Sequence, residues 1–140
     1  MTLNLDSFRS AVAALRAVQD RSQDASFMAA QDDITRNAIR SGVIQHFAFT
    51  YELAWKFIRR QLQADLGSSA VDGVSRRDLF RLAAENGLIP DVEPWFHYHT
   101  ARNQTSHTYN EAVAVSVYAA ALDFMGDAVR LLTTLEARNA

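Results

Sequence analysis

The chain has 140 residues, a net charge of −2 and no cysteine. That length suits one domain, residues 1–140, able to bury a stable core, while the missing thiols exclude disulfides and thiolate metal sites. With 14 basic against 16 acidic side chains it is not a protein that coats nucleic acid nonspecifically, so any RNA contact must be local.

No basic segment followed by an apolar core opens the sequence, and no apolar run reads as long enough to span a bilayer, so a soluble, cytoplasmic protein is expected. Leu5, Phe8, Val12, Leu15 and Val18 recur at helical spacing and predict a first helix. Arg21 to Asp33 lacks that stripe apart from Phe27 and Met28, and reads as a connection or a frayed extension. From Ile34 a long central helix is predicted, with Val43, Ile44, Phe47, Tyr51, Ala54, Ile58 and Leu62 on one face and Gly67 as its C-terminal signal. Gly42 inside it marks close packing by another backbone or a local kink. Ser68 to Val74 reads as a loop, after which Ser75 and Asp78 resemble a capping box for a short helix carrying Leu79, Phe80, Leu82 and Ala83. Asn86-Gly87 ends that helix. Asp91 can cap the next one, with Pro94 tolerated in its first turn and Trp95, Phe96 and Tyr98 leading towards Arg102. Asn110 and Glu111 then cap a final long helix with a stripe of Val115, Tyr118, Ala119, Leu122, Met125, Val129 and Leu132. No stretch alternates with a period of two, so the fold class expected is all-α.

Chemistry concentrates in Arg102-Asn103-Gln104-Thr105-Ser106-His107-Thr108-Tyr109. A permanently charged guanidinium clamps phosphate, and an imidazole exchanges protons near neutrality, a pair suited to phosphodiester chemistry without a metal. On an unbroken helix five residues rotate a side chain by roughly 140°, which would point Arg102 and His107 apart. Either the helix ends between Asn103 and Ser106, which the cap- and turn-forming Asn103, Thr105, Ser106, Thr108 and Asn110 favour, or a second subunit completes the site. An Arg and a His in a polar turn equally fit a solvated helix end.

Gly42-Val43-Ile44-Gln45-His46-Phe47-Ala48-Phe49-Thr50-Tyr51-Glu52-Leu53-Ala54-Trp55-Lys56, taken together with Arg102 through Glu111, resembles the nucleotidyltransferase substrate-binding proteins of the HEPN superfamily, including toxin members paired with a minimal nucleotidyltransferase antitoxin. The resemblance runs from Leu5 to the last helix. It implies an antiparallel four-helix bundle with an additional short helix, assembled as a homodimer, with RNA or nucleotide as ligand, a separate nucleotidyltransferase as partner and no cofactor. It also implies that Arg102 and His107 line a cleft at the subunit junction and, as in toxin members, cleave RNA without metal. Tyr109 completes the pattern Arg-x4-His-x-Tyr and matches the tyrosine that the partner modifies with AMP in some systems. His46 stands where the family commonly has Arg, and Ala48 where it commonly has Glu.

Around the catalytic candidates Arg102 and His107, four residues are supporting or substrate-binding candidates. Asn103 is read as orienting the phosphate or His107, or as a cap; Ser106 has no evident activating base and is a poor nucleophile. Glu52 and Lys56, at i and i+4, form a surface pair, or Glu52 turns inward to hold Arg102. Tyr51 and Trp55 read as core aromatics or as base-stacking platforms, and Arg76, Arg77 and Arg81 as a phosphate patch, a docking surface or a solvated helix. His97 and His99 sit about 200° apart on a helix and cannot share one ion, so no metal site is expected.

Overall fold

A computed structural model describes residues 2–140, and every regular element among them is helical. The order is α1 (Asp6–Gln23), α2 (Ala25–Ala29), α3 (Asp33–Leu66), α4 (Ser68–Val71), α5 (Arg76–Glu85), α6 (Glu93–Asn103), a 3-10 turn (Gln104–His107) and α7 (Glu111–Arg138). The all-α bundle is as expected: α3 is its spine, with α1 and α7 packed along it, α6 against α7, and α5 bridging α3 and α6.

The periodic stripe of α3 explains its position. All seven of its predicted core residues are buried, joined by Phe57, Thr50 and Gln61. Asp32 accepts from the Thr35 amide to start the helix, and hydrogen bonding by Thr35 holds the Asp32 carboxyl below its usual range. Gly67, at φ 88°, ends it in a conformation that L side chains rarely adopt. At Gly42 the helix continues without a break, and what approaches is the Val18 side chain of α1, 3.4 Å from where a Cβ would stand, not another backbone.

Three expectations are corrected. Arg21 to Asp33 contains a helical turn of its own, α2, capped by Asp24 and pinned by buried Met28. Ser68 to Val74 is likewise not all loop, because α4 turns Val71 into the core. Of the stripe predicted for α7, Met125 is buried and Tyr118, Val129 and Leu132 pack against the core half-buried, but the stripe as a whole flanks the buried face. Val117, Ala121, Phe124, Ala128, Leu131 and Leu135 pack inward, whereas Val115 is 61% exposed. The helix is apolar enough on both faces for either stripe to satisfy a 3.6-residue period. For the same reason α7, with a mean hydropathy of 1.5 over an 18-residue window, does reach membrane-spanning length and composition. Its apolar residues nonetheless close the bundle, and Asp123, Asp127 and Arg130 interrupt the run.

At the centre, the Phe124 ring meets Tyr98 at 5.1 Å, Phe47 at 5.2 Å, Trp95 at 5.7 Å and Tyr51 at 6.4 Å, mostly edge to face. This cluster locks α3, α6 and α7 together and fixes where the C-terminal end of α6 emerges.

Candidate functional site

The helix α6 ends at Asn103, as the run of cap-forming residues requires, and the chain tightens into the 3-10 turn. The cause is local: Thr105 donates its hydroxyl to the Arg102 carbonyl (2.8 Å), and Thr108 donates to the Thr105 carbonyl (3.3 Å). Asn110 then caps α7 by accepting from the amides of Ala112 and Val113.

Arg102 points back against α3. Its Nε lies 3.2 Å from Glu52 Oε1, an ion pair at two half-exposed side chains. The alignment is too poor for a hydrogen bond, and Nε is left buried without an acceptor. Its Nη1 donates to Thr105 Oγ1 at 3.2 Å. The other oxygen of Glu52 accepts from Trp55 Nε1 at 2.9 Å, so one carboxylate holds both the guanidinium and the indole. Glu52 is thus turned inward, and among the described residues no Glu52–Lys56 pair forms; Lys56 instead lies 5.8 Å from the centroid of the Trp55 ring. Arg102, Thr105 and Thr108 share a cavity of about 300 Å³ with Ser41, Ile44, Gln45, Ala48 and Phe49 of α3. Ala48 therefore leaves this cavity without the carboxylate that a Glu there would add. His46 packs edge-on against Phe49 (6.4 Å).

His107 and Tyr109 stand outside that cavity. Both are exposed, Tyr109 by 86%, with ring centroids 6.1 Å apart. Among the described residues no hydrogen bond joins His107 to Arg102 within the protomer, although the helix does end between them. Ser106 is exposed, and the Asn103 amide reaches His99 Nε2 (3.5 Å) and not His107.

A second group of polar residues escaped the sequence reading. Tyr51, whose ring is fully buried, shares a 2.8 Å hydrogen bond with His99 Nδ1 and accepts from Arg76 Nη1 at 3.2 Å. Arg76 also lies over Trp55, its guanidinium carbon 3.5 Å from the ring centroid. Burial pushes the Tyr51 hydroxyl up to about 12, while burial and the nearby Arg76 charge lower the His99 imidazole. The i,i+4 spacings of Tyr51 with Trp55 and of His99 with Asn103 were visible signals, but joining them to Arg76 takes contacts among three helices. The result is one connected chain, Arg102–Glu52–Trp55–Arg76–Tyr51–His99–Asn103.

With the geometry in place, the relatives bear on it directly. Residues 3–137 match the family described as nucleotidyltransferase substrate binding protein like. Over 138 residues the chain is 36% identical to the probable ribonuclease HepT of Haemophilus influenzae, covering 98% of this chain and 94% of that protein. The solved structure of HI0074 from Haemophilus influenzae, described as revealing the fold of a substrate binding domain of a nucleotidyltransferase, superposes with a TM-score of 0.91 at 34% identity, covering 95% of this chain and 99% of that one. A crystal structure from Thermus thermophilus, of the protein ttk003001694, matches with a TM-score of 0.61 at 25% identity over 91% of this chain and 97% of its own. The chain belongs to the nucleotidyltransferase substrate-binding protein-like family, the HEPN-type family that its two motifs resemble.

Proposed function

We propose that this protein is the HEPN subunit of a two-component nucleotidyltransferase system and acts as a metal-independent endoribonuclease. The observation that carries the reading is Arg102, held by Glu52 at the mouth of a cavity one turn before an exposed His107, in a chain 36% identical to a probable ribonuclease. In the reaction a base takes the proton of the RNA 2′-hydroxyl, the oxygen attacks the adjacent phosphorus, and the P–O5′ bond breaks as the leaving oxygen is protonated. His107 serves the proton transfers, and Arg102 stabilises the added negative charge on phosphorus. Because the two groups are not joined within one protomer, the site is completed across a homodimer. Phe49 (56% exposed), which lines the Arg102 cavity, and Val115 (61% exposed), which lines a neighbouring cavity sharing Ser41, Ile44 and Thr108 with it, supply apolar contacts for the second copy.

A separate nucleotidyltransferase restrains the activity by AMP transfer. The Tyr109 hydroxyl attacks the α-phosphorus of ATP, pyrophosphate leaves, and the phenolic proton passes to solvent. The 86% exposure of Tyr109 suits such a modification. The test is purified protein on single-stranded RNA with chelator present. Cleavage is expected, falling by about a hundredfold or more in both Arg102→Ala and His107→Ala; undiminished cleavage in both variants refutes the assignment. With partner and ATP supplied, Tyr109→Phe is expected to abolish the AMP adduct seen by mass.

The separation of Arg102 and His107 within the protomer favours one rival, a noncatalytic subunit that presents nucleotide to the nucleotidyltransferase, in keeping with the description of HI0074. Arg102-dependent nucleotide binding without any RNA cleavage would establish it.

A further inference from the structure

A cavity of about 410 Å³ between α5 and α6, separate from the Arg102 cavity, is lined by Ser75, Arg76, Arg77, Phe96, His99 and Thr100 among others, and none of its lining residues is acidic. Its two guanidiniums are held by aromatic faces and not by carboxylates. Arg76 lies on Trp55 at 3.5 Å, and Arg77 lies on Phe96 at 4.1 Å. Among the described residues neither forms an ion pair, and Arg77 makes no hydrogen bond; the nearby Asp78 is taken by Arg81 at 2.9 Å. The aromatic rings hold both guanidiniums in place; Arg76 spends one donor on the Tyr51 hydroxyl, and the donors of Arg77 are left free for forked recognition of phosphate oxygens. Burial lowers the His99 imidazole most, and the charges of Arg76 and Arg77 add to that against the opposing charge of Glu52. In a chain of net charge −2, an unneutralised pair of cations in a cavity of ligand size is a local feature and not a general basicity.

We propose that Arg76 and Arg77 form a second phosphate subsite, which holds a backbone phosphate of the RNA strand whose scissile phosphate lies at Arg102. The proposal rests on the ribonuclease reading. Two features join the subsites: His99 and Arg102 are one helical turn apart on α6, and the polar chain through Glu52, Trp55 and Arg76 runs without a gap between the cavities. Gripping the strand at a second point fixes the orientation of the phosphodiester held at Arg102, which no single surface cation would do.

The test uses the full chain and a fluorescent single-stranded 2′-O-methyl oligoribonucleotide, which cannot be cleaved because the attacking hydroxyl is blocked. Affinity is measured by anisotropy across a salt series, with ATP as a separate ligand. Arg77→Gln is expected to weaken oligonucleotide binding about tenfold and to lower the salt slope by about 0.7, the signature of one lost phosphate contact on a single strand. Arg77→Lys should keep the slope. Arg77 is exposed and makes no hydrogen bond, so the unfolding midpoint of Arg77→Gln should match the parent. Equal affinity and slope in Arg77→Gln, no binding by the parent chain, or an Arg77 requirement confined to ATP each overturns the subsite. Cleavage assays on Arg102→Ala report independently on the ribonuclease reading: Arg102-dependent cleavage beside an indifferent Arg77 sinks the subsite alone.

Discussion

Replacing Tyr51 by Phe removes the hydroxyl that joins Arg76 to His99 and leaves the ring where it packs, against Phe47, Phe80 and Phe124. At neutral pH the variant loses the 2.8 Å bond to His99 and the 3.2 Å bond from Arg76, a cost of about 1–2 kcal/mol. The alkaline limb behaves differently. An unfolded tyrosine ionises near 10.0, whereas burial holds folded Tyr51 protonated up to about 12. Between those values the folded state keeps a proton that the unfolded state has lost, so this contribution is complete below the lower value and is lost as pH rises through the upper one. The gap corresponds to about 3 kcal/mol in full, and roughly 1 kcal/mol of it is gone by about pH 11. Tyr51→Phe has no such term. Tyr98, whose hydroxyl burial and its bond to Asp127 also push up, lowers both proteins alike. Urea unfolding at a series of pH values should therefore find the variant about 1–2 kcal/mol weaker near neutrality and nearly equal to the parent by about pH 11. A difference that stays constant between those conditions would mean that the Tyr51 hydroxyl is not held protonated by burial.

Phe124→Ala, which empties the centre of the aromatic cluster, should cost about 3–5 kcal/mol in urea unfolding; a loss under about 1 kcal/mol would mean that the cluster does not tie α6 to α7. Gly42→Ala should raise stability by roughly 0.5–1 kcal/mol, because the new methyl meets only Val18 at 3.4 Å in a continuous helix. A destabilised Gly42→Ala would place α1 closer to α3 than the structure has it. A double-mutant cycle on Glu52→Gln and Arg102→Met should give a coupling of about 1 kcal/mol or less, since both partners are half exposed and not aligned for a hydrogen bond.

What the sequence carries depends on how far apart the determinants lie. In α3 seven core residues were readable from their 3-4 spacing, but buried Phe57, Thr50 and Gln61 lay outside that stripe, and apolar Ile34 and Phe49 on the same helix are exposed. In α7 alanine and valine occupy both flanks, and only packing against α3 and α6 decides that Val117 and Phe124 face inward while Val115 does not. The four- and five-residue helices α4 and α2 are too short to show a period, and tertiary burial of Val71 and Met28 holds them. At the site, the end of α6 at Asn103 was legible because hydroxyl and amide side chains compete locally with the helix. Glu52 holding Arg102 was readable only as one of two options. The Tyr51–His99–Arg76 contact was not readable at all, since it joins residues 25 and 48 positions apart.

On the proposed reading, the arrangement of the polar residues explains why the chemistry would belong at the end of α6. A guanidinium in water is a poor anchor for a transition state, because solvent screens it and its rotamers are free. Here Glu52 and Thr105 fix Arg102, and Trp55 braces Glu52 from the other side. What one protomer lacks is cover: His107 and Tyr109 stand in solvent, and Phe49 and Val115 are uncovered apolar surface. On the proposed reading a second copy buries those two side chains, excludes water from the cavity and brings an imidazole to the clamped phosphate in the same event. Assembly and activity should then fall together. A charged residue in place of Val115, which does not line the Arg102 cavity, should lower cleavage in proportion to the loss of dimer seen by sedimentation, and full activity in a strictly monomeric Val115→Glu would show that a single chain holds the complete site.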